Sequence, residues 1–126
     1  MSGYAPGMMA EQGQSLFVTV GAGGPGQMIV KLVGPAIGQR EVPIIGERVV
    51  GELERFSGLK MLVLDMSSVT FMNSMGLGMC IDFRNRAAKS GAKAAIVGAN
   101  AELTGLFKMV KLEKLYTFAK TVGELS

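Results

Sequence analysis

The chain reads as an α/β protein built on a mixed, largely parallel β-sheet with α-helices packed against it. Three observations predict this. Apolar runs of strand length alternate with stretches of helical period, and Gly, Ser and Pro punctuate the changes between them. One run, Lys60-Met-Leu-Val-Leu-Asp65, has the length and continuity of a strand covered on both faces, which suits the centre of a sheet.

In chain order, residues 1–14 are rich in Gly, Met and Gln without periodicity and are expected to form a flexible tail. A single domain then covers residues 15–126. Leu16 to Val20 and Met28 to Val33 are β-branched and apolar and are separated by Gly and Pro, so they predict a hairpin. After a loop over Gly34 to Arg40, Pro43 suits a first helical turn. Ile45, Val49, Leu53 and Phe56 then recur at spacings of four, four and three, which marks one buried helical face ending at Ser57-Gly58. Beyond the central strand, a second helix is expected from about Ser74 to Ser90, stopped by Gly91, with Ala94 to Val97 as the next strand. Leu103, Leu106, Phe107 and Val110 suggest a third helix. A short strand near Leu115 to Phe118 and a capping signal in Thr121-Val-Gly-Glu124 complete the chain.

Composition narrows the chemistry. At 126 residues the chain has room for one core and not for two ordinary domains. It is 48% hydrophobic and 18% charged, as a soluble globular protein would be, and no uncharged apolar run approaches the roughly 20 residues of a membrane-spanning helix. The first residues lack a secretory pattern, so a cytoplasmic location is expected. With Cys80 as the single cysteine and no histidine, an internal disulfide, a zinc site of the usual ligands and every His-dependent catalytic arrangement are excluded. The net charge of +3 is scattered apart from Lys108, Lys111 and Lys114, which read as a solvated face or as a patch for an acidic partner. Two tyrosines and no tryptophan offer no stacking platform for nucleic acid.

Three segments could carry function. Gly21-Ala-Gly-Gly-Pro-Gly26 spells GxGxxG after a strand, which keeps a small nucleotide-binding enzyme as a remote alternative. Yet the residues after it have a strand pattern, so no helix N-terminus is expected to receive a phosphate. Ser67, Ser68, Ser74 and Cys80 lack a base, and Asp65 and Asp82 show no sign of pairing, so no catalytic residue is assigned. The third segment, Thr70-Phe-Met-Asn-Ser-Met-Gly-Leu-Gly78, is poor in helix formers where a helix should start. Gly76 and Gly78 each cost ~1 kcal/mol relative to alanine, which points to close approach of another backbone. Asn73 and Ser74 are both favoured N-caps. A helical wheel sets Leu77, Cys80, Ile81, Ala87 and Ala88 toward the core, with Arg84 in their midst, and Met75, Met79 and Phe83 on the opposite side as an exposed stripe fit for a partner.

Taken together, Leu62-Val-Leu-Asp65, Val69-Thr-Phe-Met-Asn-Ser-Met-Gly-Leu-Gly78 and Leu106-Phe-Lys-Met-Val-Lys-Leu112 resemble the STAS domain of bacterial anti-sigma factor antagonists. The resemblance spans roughly residues 15–126 and implies a non-enzymatic protein-interaction module without a cofactor or metal. In that family the loop usually reads Asp-Ser-Ser-Gly, and its first serine is phosphorylated by a kinase that is also the anti-sigma factor. By position that serine is Ser74. The implied partners are therefore an anti-sigma factor/serine kinase and a phosphatase that resets the switch, with transcription regulated indirectly. Asn73, Ser74, Met75, Gly76, Met79 and Phe83 form the expected partner-binding set. Asn73 stands where the family usually has Asp, and Met75 where it has the second Ser. These departures keep open a non-phosphorylated STAS scaffold or adaptor in a sensory or membrane-transport assembly. The oligomeric state is left open.

Overall fold

Val18 and Val20, like Met28, Val30 and Leu32, alternate with less buried neighbours, and this period of two folds the start of the domain into a hairpin in the computed structural model, which describes residues 17–125. The tail expected over residues 1–14 lies outside the described residues. Strand β1 (Val18–Ala22) pairs antiparallel with β2 (Gln27–Val33), Val20 opposite Val30. The glycine stretch between them is a turn. Gly26 adopts φ +75, Gln27 N donates to Gly24 O at 3.0 Å, and Gly24 N donates to the Gln27 side chain at 3.1 Å. A strand follows it, as expected, and not the helix that a dinucleotide loop requires.

The chain continues through β3 (Ala36–Ile37), helix α1 (Glu41–Arg55), β4 (Met61–Ser68), β5 (Phe71–Met72) and helix α2 (Ser74–Lys89). Then come β6 (Lys93–Val97), helix α3 (Ala101–Met109), a 3₁₀ turn at Leu112–Lys114, β7 (Thr117–Ala119) and a second 3₁₀ turn at Val122–Leu125. The main sheet has the order β1-β2-β4-β6-β7, with β2, β4, β6 and β7 mutually parallel, so the expected mixed, largely parallel sheet is present and β4 is its central strand. Successive parallel strands are added in one direction. All three helices contribute to one core on a single face of the sheet, with Met28, Val30, Leu32, Leu62, Leu64, Met66, Ala94 and Ile96. On the other face Val63, Ala95 and Val97 are buried as well.

Several expectations shift. The loop placed over Gly34 to Arg40 contains β3, which pairs in parallel with β5, Ala36 opposite Phe71 and Ile37 opposite Met72. Strands of two residues have no periodicity to read. The last strand starts at Thr117 and not at Leu115, because Leu112 to Tyr116 is committed to a buried turn: Leu112 is fully buried and the Tyr116 hydroxyl donates to Cys80 O at 2.6 Å. Helix α3 ends at Met109, which leaves Val110 outside it and 42% exposed instead of on the buried stripe. The Thr121 to Glu124 capping signal closes a 3₁₀ turn, with Glu124 Oε1 accepting from Lys120 N at 2.7 Å.

Candidate functional site

The carboxyl end of β4 leads into a loop tied down on several sides. Asp65 Oδ1 accepts from Ser67 N at 2.9 Å, so this carboxylate serves the strand end. Val69 N donates back to Met66 O at 3.0 Å and the Val69 side chain is buried. Pro35 O then gathers Thr70 N at 2.8 Å, Phe71 N at 3.2 Å and the Thr70 hydroxyl at 3.2 Å. Asn73 N donates to Ile37 O at 3.1 Å. The short β3/β5 pair therefore fixes the direction in which the chain enters α2. Alternation across it sends Met72 into the core, 1% exposed, and Phe71 outward, 58% exposed.

Asn73 is the N-cap. It is extended at φ −92 and ψ −175, its Oδ1 accepts from Gly76 N at 3.1 Å, and its carbonyl accepts from Leu77 N at 3.0 Å. Ser74 is the first helical residue and faces solvent. The amides of Ser74 and Met75 have no protein acceptor among the described residues, and the first turn of α2 carries no acidic side chain. An exposed hydroxyl thus stands at the positive end of a 16-residue helix beside two open N–H groups. Met75 is 44% exposed, so apolar side chains lie on either side of Ser74 in the chain, Phe71 before it and Met75 after it.

The two glycines differ. A Cβ at Gly76 would come within 3.1 Å of Met72 Sδ and 3.3 Å of Ile37 Cγ2, and closer still to Met72 Cγ. The close approach that Gly76 permits is therefore by buried side chains under the helix, not by another backbone. A Cβ at Gly78 would meet nothing within 4 Å, so Gly78 leaves an open notch on the exposed side of α2.

The helical wheel drawn from the sequence needs rotation. Gly76, Leu77, Met79, Cys80, Phe83 and Ala87 form the buried side of α2, with Met79 6% exposed and Phe83 fully buried. Met79 and Phe83 therefore do not belong to a docking stripe. They are core residues. Ala88, expected in the core, is exposed, and Arg84 is half-buried at the margin, donating to Asn85 Oδ1 at 3.4 Å. The physical reason is that α2 rests on β4, β5 and β6 and also lies alongside α1, so two neighbours bury adjoining arcs. A wheel in which apolar residues occupy most of the circumference does not say which arc that will be.

The groups screened for chemistry are structural. Cys80 is fully buried, and burial pushes its thiol up to about 12, so it stays protonated and inert as a nucleophile. Burial likewise raises the Tyr116 phenol well above its ordinary range, with Cys80 adding to the effect. Asp82 is on the solvated face, paired with Arg86 at 2.8 Å. Among the described residues no group of three or more His, Cys, Asp or Glu is placed to hold a metal ion, and no helix is long and apolar enough to cross a membrane. Beside Ser74, Phe71 is an exposed residue that the sequence did not single out. Its exposure follows from pairing with β3, which has no local signal.

The sheet order, the helices gathered on one face and the capped serine at the carboxyl edge of the central strand define a small α/β domain of one recognised architecture. The sequence profile of the STAS domain matches residues 18–125, and the chain belongs to that family. Solved structures agree on the fold. An anti-sigma factor antagonist from Mycobacterium paratuberculosis superimposes with a TM-score of 0.74 at 19% identity, covering 88% of this chain and 91% of that one. The Bacillus cell fate determinant SpoIIAA in its phosphorylated form matches with a TM-score of 0.67 at 13% identity, covering 86% and 95%. The murine anion transporter Slc26a9 in its inward-facing state matches with a TM-score of 0.65 at 16% identity. That match covers 94% of this chain but 23% of the transporter.

Proposed function

We propose that this chain is an anti-sigma factor antagonist that binds an anti-sigma factor/serine kinase through the edge formed by Phe71, Asn73, Ser74, Met75 and Gly78, and that Ser74 is the phosphoacceptor. Gly76 belongs to the site through the packing that positions it. The observation that carries the proposal is the setting of Ser74: solvent-facing, at a capped helix N-terminus, between exposed Phe71 and Met75. The likeness to anti-sigma factor antagonists, one of them solved in phosphorylated form, supports it.

The switch follows from charge. A phosphate adds about −1.5 to −2 charge and three strong acceptors. The open amides of Ser74 and Met75 and the helix dipole can hold that charge in the free domain. A partner that buries Phe71 and Met75 would have to desolvate it, so docking is lost while the fold is kept. A phosphatase then restores the binding form. In this mechanism ATP belongs to the kinase. Intact-mass measurement after incubation with the cognate kinase and ATP tests the site: one phosphate is expected on the wild type and none on Ser74→Ala, and phosphate retained by that variant would overturn the assignment.

A second reading, a scaffold that is never phosphorylated, is favoured by one observation. Asn73 caps the helix with an amide oxygen, so the carboxylate usual at that position in the family is missing. Co-purification decides between the two. A partner that is not a kinase and binds wild type and Ser74→Glu equally supports the scaffold, whereas loss of the complex in Ser74→Glu supports the switch.

A further inference from the structure

We propose that the turn at the end of α3, formed by Lys108, Met109, Val110, Lys111 and Lys114, is a docking site for an anionic lipid surface. Met109 is 80% exposed and Val110 42%, which makes them an adjacent apolar pair on the outside of the domain. Single exposed apolar residues need no explanation, but this pair is framed by cations. Lys108, Lys111 and Lys114 are all exposed, and none has an ion-pair partner among the described residues, whereas Arg48, Arg55 and Arg86 each face a carboxylate. Glu113 is the one acidic residue within residues 108–114.

Backbone and core present this tip firmly. Lys111 is left-handed at φ 63 and ψ 30, just past the helix end where glycine is the ordinary occupant, and its amide donates to Lys108 O at 3.0 Å. Phe107 before the tip and Leu112 after it are fully buried. The chain therefore turns sharply, and Met109 and Val110 stand at the turn with lysines on both sides. The identity of the cations selects the occupant. Protein interfaces enrich arginine and deplete lysine, and every cation here is lysine. A lysine stem can lie along apolar surface while its ammonium reaches a headgroup, which lets Met109 and Val110 enter the boundary between headgroups and acyl chains. The attraction is that of a weak, reversible peripheral contact.

Co-sedimentation of the full chain with phosphatidylcholine vesicles containing about one-third phosphatidylserine tests this, with pure phosphatidylcholine as the control. Binding is expected to the anionic vesicles alone, to fall roughly fivefold for each lysine neutralised, and to be lost in high salt. Lys108→Gln, Lys114→Gln and Lys111→Gly remove the charges, the last without strain. Met109→Gln removes the apolar tip, with circular dichroism checking the fold. Ser74→Ala is expected to bind vesicles like the wild type, which separates this surface from the proposed phosphoacceptor. Absence of binding to anionic vesicles at low salt, equal binding to the neutral control, or full binding by the lysine variants would overturn the proposal. An acidic protein that binds this turn in the absence of any vesicle binding would reassign it.

Discussion

Gly76 and Gly78 sit two residues apart in α2, yet alanine is expected to act on them in opposite directions. At Gly78 the added methyl meets nothing within 4 Å and the position is exposed, so Gly78→Ala gains the intrinsic helix preference of about 1 kcal/mol. At Gly76 the same preference is opposed by collision. The methyl would press on Met72, 1% exposed, and on Ile37, fully buried. Met72 cannot simply swing aside, because its backbone is paired to β3 and its sulfur lies 3.9 Å from Cys80 Sγ. Overpacking of this kind typically costs 1–3 kcal/mol, so Gly76→Ala should be destabilising by roughly 0–2 kcal/mol after the propensity gain. The two variants should therefore differ by about 1–3 kcal/mol, at roughly 4 °C of melting temperature per kcal/mol for a chain of 126 residues. Urea unfolding with an unchanged m-value is the matching equilibrium assay. Gly76→Ala as stable as Gly78→Ala would refute the packing assignment. A third variant carries the comparison to function: Gly78→Gln should fold normally and lose the partner, if the notch beside Ser74 is where the partner lies.

Three further outcomes are expected. Asn73→Ala should lose about 1 kcal/mol with the cap, whereas Asn73→Asp should keep the cap and gain about 0.3–1 kcal/mol from the helix dipole, both read by thermal unfolding. Stability should fall as pH rises above about 9: the unfolded Cys80 thiol ionises near 9.0 while the folded one holds its proton to about 12, so the difference grows by about 1.4 kcal/mol per pH unit across that window. The buried Tyr116 phenol, also raised, should add to the loss above its ordinary range; denaturant melts from neutral to alkaline pH, with Cys80→Ala flattening part of the slope, check both. Tyr116→Phe should cost about 1 kcal/mol in the same assay by removing the hydroxyl bond that joins the last turn to α2.

The proposed site depends on how firmly its loop is held. Asn73 N to Ile37 O, the bonds gathered by Pro35 O and the parallel β3/β5 pair together aim α2, so the position of Ser74 is decided by backbone contacts from a segment more than thirty residues earlier in the chain. A phosphate added there would change the charge of a pre-formed surface and need not reorganise the domain.

Much of this was legible in the chain itself. Alternation in β2 and the four-residue spacing of Ile45 and Val49 each state a period and a buried side, and both elements formed there; the continuous apolar run expected over Lys60 to Asp65 is the central strand, although β4 runs from Met61 to Ser68. Asn73 as a cap was also legible, because capping is a bond between neighbours in sequence. What tertiary structure alone decided concerns contacts between distant segments. The β3/β5 pairing turned Phe71 outward. Packing of α2 against the sheet and alongside α1 buries an arc that includes Met79 and Phe83, next to Cys80 and Ala87. Likewise Gly76 and Gly78 are the same residue to a propensity scale, and only the presence of Met72 and Ile37 beneath one of them separates a packing requirement from an open surface. A periodic pattern reports that a helix has an apolar side; which arc is covered depends on neighbours that the local sequence does not contain.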